Sequence, residues 1–170
     1  MIEKPLVLVG LMGAGKTTVG RRLAAALNLP FADADHEIET AAGCSISEIF
    51  EKHGEAAFRD GERRVIARLL DGPVCVLSTG GGAFMDPETR QKIKETGTSI
   101  WLRADLDLLM ERVLRRPTRP LLQQDDPRKV MERLMEERYP VYAEADITVE
   151  SGDGPHEAVV SQIMDALKER

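Results

Sequence analysis

Leu6-Val7-Leu8-Val9-Gly10-Leu11-Met12-Gly13-Ala14-Gly15-Lys16-Thr17 is the stretch from which the rest of the sequence is read. An apolar, β-favouring run ends at Gly10, and Gly10 to Thr17 matches G-x-x-x-x-G-K-[ST] at every fixed position. A helical pattern follows over residues 17–27. In it Val19, Leu23 and Leu27 recur at a spacing of four while Arg21 and Arg22 fall elsewhere, and Asn28 and Pro30 stop it. The physics of phosphate binding requires each part. Glycines at 10, 13 and 15 let the backbone curl so that successive N–H groups form an anion nest. The helix N-terminus adds a partial positive charge beneath it. Lys16 can reach β- and γ-phosphates, and Thr17 offers a hydroxyl to Mg²⁺. The plainer explanation, a glycine turn that happens to carry a lysine, is disfavoured by a strand and a helix standing on the correct sides. The segment specifies a phosphate-binding fold and not a reaction, because GTPases, ATPases and small-molecule kinases share it. No N/T-K-x-D guanine motif occurs, and helicases and transporters are normally larger than 170 residues. Small-molecule kinases are the leading class.

Outward from this loop, apolar runs and helical stretches alternate. Phe31 to Asp33 reads as a second strand, followed by helical segments at 35–42, 45–53 and 55–70. Val74-Cys75-Val76-Leu77 is a third apolar run of the kind buried in a parallel sheet. Asp86-Pro87 looks like an N-cap with proline at the first helical position, and Gly97 ends that helix. Ser99-Ile100-Trp101-Leu102 reads as a fourth strand and Asp105 as the next cap. Asp126-Pro127 repeats the pattern before a helix at 128–138, Ile147-Thr148-Val149 is a fifth strand, and a helix at about 156–167 closes the chain. Parallel strands need covering helices as crossovers. The expectation is therefore an α/β fold: a five-stranded parallel sheet with helices on both faces, in a single domain spanning 1–170. Residues 115–125 (RRPTRPLLQQD) break the helical period and have loop composition.

Composition narrows the class. With 42% hydrophobic and 31% charged residues the chain reads as an ordinary globular protein, and a net charge of −6 argues against a nucleic-acid partner. Cys44 and Cys75 lack metal-ligand spacing and read as buried structural thiols in a reducing compartment. No run approaches the ~20 apolar residues of a membrane helix, and Met1 leads directly into a strand-like segment. The expectation is a cytoplasmic protein with no membrane partner, acting as a monomer.

Asp33 and Asp35 stand two residues apart at the end of the second strand, where period-two geometry puts both on one face. Strand carboxyl ends line the ligand crevice of a parallel sheet. One acid could hold Mg²⁺ while the other meets a substrate hydroxyl. Alternatively Asp35 merely caps the next helix.

With these residues placed, the chain resembles the shikimate kinase family over nearly its full length. Phe58-Arg59-Asp60-Gly61-Glu62, Thr79-Gly80-Gly81-Gly82-Ala83, Arg119-Pro120-Leu121-Leu122 and Glu137-Arg138-Tyr139-Pro140-Val141-Tyr142 are similar to four of its segments, in order and at compatible spacing. The resemblance implies a P-loop, nucleoside-monophosphate-kinase-like fold with a lid at about 115–125. It implies transfer of the ATP γ-phosphoryl group to shikimate, with Mg²⁺, giving shikimate 3-phosphate and ADP in the chorismate pathway. By it, Gly13, Ala14, Gly15, Lys16, Thr17 and Thr18 contact the nucleotide, with Arg112 near adenine and Arg119 reaching in from the lid. Asp35, Arg59, Gly81 and Arg138 bind shikimate, Arg59 and Arg138 gripping its carboxylate. Thr17 and Asp33 serve the metal, and Lys16, Asp35 and Arg119 are the catalytic groups.

The residues agree with these roles. An arginine fork suits a carboxylate bidentately. Arg138 continues the apolar stripe of Met131, Leu134 and Met135, so it is expected to point inward and to need an anionic partner. Glu62, three residues after Arg59, can orient that arginine. Structural ion pairs are the plainer alternative for both arginines. Three successive glycines at 80–82 permit close approach to a ligand. The third strand ends in Ser78-Thr79 without a Walker-B aspartate, an absence the family shares. His36, His53 and His156 are scattered without ligand spacing, Trp101 reads as core, and Glu136-Glu137 as a solvated edge. The rival readings are another small-molecule kinase such as gluconate kinase, which needs no second arginine placed like Arg138, and a non-catalytic nucleotide-binding protein.

Overall fold

The computed structural model describes residues 2–115, 126–152 and 154–170. Leu6–Val9 forms β1, every residue of it buried, which requires cover on both faces of the sheet. It pairs in parallel with β3 (Val76–Ser78) on one side and β4 (Thr98–Arg103) on the other. β2 (Phe31–Asp33) pairs with β3, and β5 (Ile147–Glu150) with β4, giving the order β2-β3-β1-β4-β5. Burial tracks position in this order. β3 is wholly buried like β1, whereas β5 at the edge alternates, with Ile147 and Val149 in the core and Thr148 and Glu150 in water.

The helices are α1 (Lys16–Leu27), α2 (Ala34–Ala42), α3 (Ile46–Asp71), α4 (Pro87–Thr96), α5 (Leu106–Leu114), α6 (Pro127–Tyr142) and α7 (His156–Lys168). Their starts are chemically specified. Ser45 and Glu48 make a reciprocal capping box for α3. Asp86, Asp105 and Asp126 cap α4, α5 and α6 as expected, Asp105 Oδ1 accepting from Leu108 N at 2.8 Å. Each such cap stabilises its helix by about 1 kcal/mol. α1 lies close on the sheet because Gly20 faces it, where a Cβ would stand 2.7 Å from the Phe31 ring. Among the described residues no helix is long and apolar enough to cross a membrane.

Two boundaries differ from expectation by more than one residue. β3 begins at Val76 rather than Val74, in register with β1 at Leu6 and with β2 at Phe31. The expected helices at 45–53 and 55–70 meet end to end in α3, and the expected break between them falls at Gly54, whose φ of 85° and ψ of 173° are not helical. α6 runs four residues past Arg138 and carries Pro140 within it. The lost N–H costs little there because Glu136, which would supply the carbonyl, is exposed to water. The last turn is held instead by complete burial of Tyr142. Cys75 is buried as expected, but Cys44 is only half-buried, at the margin of a small apolar cluster formed by Ile38, Ile49, Phe58 and Val65.

The strand order places the site. The connection leaving β1 runs toward β2 at one edge, while the one leaving β3 crosses β1 to reach β4. Adjacent strands whose connections depart in opposite directions leave a crevice at their carboxyl ends. Gly10 follows β1 there, and the glycines at 80–82 follow β3.

Candidate active site

A cavity of about 330 Å³ opens at this crevice, and Gly15, Lys16, Thr17, Asp33, Asp35 and Gly81 are among its walls. The phosphate loop forms one side. Gly13 and Gly15 take φ of 87° and 95°, left-handed values that a side chain would strain, and Gly15 is the residue from which α1 starts. Lys16 is buried, and its Nζ donates to Gly10 O at 2.5 Å and Leu11 O at 3.0 Å. These carbonyls hold the ammonium at the mouth of the nest, where a phosphate oxygen could replace them.

The two acids divide differently from the strand alternation. β2 ends at Asp33, which is itself the N-cap of α2 and accepts from Asp35 N at 3.0 Å and His36 N at 3.5 Å. Asp35 stands in the first turn of α2, with its carboxylate against Gly80. Capping therefore falls to Asp33, not to Asp35, and both still face the cavity.

The glycine triplet is the meeting place of the remaining groups. A Cβ on Gly80 would lie 2.9 Å from Asp35 Oδ1, one on Gly81 3.1 Å from Arg138 Nη1, and one on Gly82 2.6 Å from Arg59 Nη2. Three successive glycines thus each make room for one of three polar side chains arriving from α2, α6 and α3. Arg59 and Arg138 reach this triplet beyond the walls of the main cavity. Arg59 Nη1 donates to Glu62 Oε1 at 2.9 Å, and Glu62 is only 3% exposed. Burial pushes the Glu62 carboxyl up, against the pull of the Arg59 guanidinium. Glu62 Oε2 also lies near Gly80, so two carboxylates, Asp35 and Glu62, flank that residue.

Arg112 is tied to the phosphate loop. Its Nη1 donates to Gly13 O at 3.1 Å and Ala14 O at 3.2 Å, and its Nη2 to Gly152 O at 2.9 Å. Ser151 Oγ donates to Ala14 O at 2.9 Å. Ala14 is buried, while Thr18 and Arg112 line the cavity. Arg119 and the expected lid, apart from Arg115, lie outside the described residues.

Three participants are given no role by the sequence reading. Ser151 reaches the loop across 137 residues. His156, read as unremarkable, lines the cavity beside Gly15, and burial together with the nearby Arg112 and Arg22 cations biases its ring toward the neutral form. Tyr142 lies in one of the family-like segments without an expected role, yet its hydroxyl donates to Gly81 O. The spacing of Arg138 and Tyr142 by one helical turn is the signal by which it could have been found.

With this geometry, the arrangement can hold a polyphosphate in the loop and a hydroxylated anion against the triplet. The family model for shikimate kinase matches residues 12–168. The chain is 63% identical over 166 residues to a shikimate kinase of Paramagnetospirillum magneticum, covering 98% of this chain and 85% of that protein. A shikimate kinase structure from Acinetobacter baumannii, in complex with shikimate, is similar with a TM-score of 0.93 and 40% identity, over 98% of this chain and 93% of that one. A gluconokinase from Sinorhizobium meliloti has a TM-score of 0.68 at 18% identity, over 98% and 92% of the two chains, a likeness of fold alone.

Proposed function

The chain belongs to the shikimate kinase family, and on that premise we propose that its site transfers the ATP γ-phosphoryl group to a shikimate hydroxyl through the following division of labour. The observation that carries the reading is the triplet, which gathers Asp35, Arg138 and Arg59 on successive glycines beside the phosphate loop.

The loop from Gly13 to Thr18 cradles the nucleotide phosphates with its N–H groups, and Lys16 exchanges its own loop's carbonyls for phosphate oxygens. Arg59 and Arg138 bind the substrate carboxylate, Glu62 holding Arg59 in place. Asp35 accepts a hydrogen bond from the attacking hydroxyl, orients its oxygen toward the γ-phosphorus and takes its proton as the oxygen–phosphorus bond forms. ADP leaves with the electron pair of the broken bond. Gly81 contributes backbone contact to the sugar-like ring. Arg112 braces the loop, and Arg119 keeps the charge-neutralising role that the family resemblance implies.

The donor set fits Mg²⁺, a small hard cation held by a few oxygens together with substrate phosphates and water. Thr17 and Asp33 supply such oxygens on one cavity, and capping of α2 fixes the Asp33 carboxylate. Bound there, the ion would neutralise charge on the phosphates.

Coupled ADP release with shikimate, gluconate and nucleoside monophosphates tests the reading. Shikimate alone is expected to support turnover, and preference for another acceptor would overturn it. Losing a charge-assisted hydrogen bond worth about 1.5–3 kcal/mol, Arg138→Leu should raise the shikimate KM roughly 10- to 150-fold with little change for ATP. A shikimate analogue with a neutral group in place of the carboxylate should lose far less. Equal losses for both would make Arg138 structural.

A further inference from the structure

We propose that Tyr142 is a positioning residue for the acceptor half of the site, its hydroxyl pinning the Gly81–Gly82 peptide while its helix presents Arg138 to the same glycine. The inference rests on the assignment of shikimate to the triplet.

Three successive glycines form the least restrained backbone a chain can contain, so their orientation has to be imposed by partners. Their carbonyls can be accounted for one by one. Gly80 O accepts from Ala83 N at 3.2 Å, closing the turn at residues 81–82, and Gly82 O accepts from Met85 N at 3.1 Å, opening the short 3-10 turn Ala83–Met85. Gly81 O, between them, accepts from the Tyr142 hydroxyl, which comes from the far end of α6. A peptide unit is planar and trans, so anchoring that carbonyl also sets the direction of the Gly82 N–H on its opposite side. The same helix carries Arg138 one turn earlier, on the same face, and its Nη1 lies 3.1 Å from where a Cβ on Gly81 would stand. Tyr142 therefore joins the two halves of the acceptor site, backbone and cation, through a single residue.

The ring is built to hold this position. Tyr142 is 0% exposed. It stacks on Phe84 at 6.4 Å with 23° between planes, and its other ring neighbours are Trp101 at 5.7 Å and Tyr139 at 6.2 Å. Phe84 belongs to the turn that follows the triplet, so the stack and the hydrogen bond grip the same few residues. Burial pushes the phenol up, with Arg138 pulling the other way, so the group remains a protonated donor across the range in which an enzyme works. Nothing in phosphoryl transfer itself requires this side chain. Its use is in where it holds Gly81.

Tyr142→Phe removes one oxygen and keeps the ring. The expected result is a shikimate KM raised about five- to tenfold, an ATP KM within about twofold of wild type, and a melting temperature close to wild type. An unchanged shikimate KM, or equal rises for both substrates, would overturn the proposal. Phe84→Leu, which loosens the ring's seat and leaves the hydroxyl, carries the test if Tyr142→Phe does not fold. It should shift the shikimate KM in the same direction with ATP unaffected, and a flat shikimate KM would count against the proposal. Arg138→Leu run alongside separates the two levels. If it raises the shikimate KM while Tyr142→Phe does not, the positioning role fails alone; if neither does, the assignment of the acceptor site fails with it.

Discussion

Gly82 is glycine because Arg59 occupies the space a side chain would take. A Cβ there would meet Nη2 at 2.6 Å, Nη1 at 2.7 Å and Cζ at 2.8 Å. The obstructed group is the far end of a flexible side chain, so the fold could yield by moving the guanidinium, at the expense of its alignment with Glu62. Gly82→Ala should accordingly leave the urea midpoint near wild type but raise the shikimate KM about tenfold or more, equivalent to about 1.4 kcal/mol or greater. Steady-state kinetics beside equilibrium unfolding checks this split. A large loss of stability with an unchanged KM would mean that the triplet serves packing. The presence of three glycines was legible in the sequence, but which side chain each one accommodates was not. That pairing depends on α2, α3 and α6 converging from positions up to 103 residues apart in the chain (35 to 138).

At the scale of elements, helix starts were the most readable feature, because a cap is a contact between residues three apart or fewer. Asp86 shows how such a contact gains a second use. It accepts from Thr89 N at 2.9 Å as the cap of α4, and it also receives a paired interaction from Arg63 of α3, Nε and Nη2 each at 3.0 Å. The Arg63 hydrogen bond leads the causes that hold its carboxyl at about 2, below the ordinary 3.8. The folded value lies below the unfolded one, so the stabilisation is present above about pH 4 and is lost as pH falls through about 2. Its size is about 1–2 kcal/mol, part of the attraction being screened by water. Asp86→Asn keeps a capping side chain and removes the charge. The urea-derived stability difference between wild type and variant should be near this size at pH 7 and shrink toward zero near pH 2. A difference that persists at pH 2 would assign the effect to packing. Helix ends were less legible: Pro140 marks α6 for an early stop, and only the burial of Tyr142 carries the helix past it.

Over the whole molecule, the loop near the N-terminus is tied to the β5–α7 connection near the C-terminus. Arg112 spans Gly13 O, Ala14 O and Gly152 O, and Ser151 adds a bond to Ala14 O. The nest is thus shaped partly by residues 137 positions away. Arg112→Ala should raise the ATP KM about tenfold and the shikimate KM little, since its hydrogen bonds go to the phosphate loop, Ser151 and Gly152 and not to the triplet. Arg112→Lys restores the charge but cannot span the carbonyls with one ammonium, so it should recover little of the loss. Full recovery in kinetic assays would show that charge alone matters and that the brace does not.

What the sequence determined by itself were the features set by contacts between near neighbours. These are the phosphate loop with its strand and helix, the alternation that makes the sheet parallel, the caps, and the pairing of Arg59 with Glu62 one helical turn away. Each depends on backbone geometry repeated over a few residues, which residue type specifies directly. Tertiary structure decided the rest. It turned Asp35 toward Gly80, brought His156 and Ser151 to the phosphate loop, and set Tyr142 on Gly81 O. The physical reason is that these contacts join groups whose separation along the chain carries no information about their separation in space. That distance is set by the order β2-β3-β1-β4-β5, which brings the loops after β1 and β3 together at one crevice.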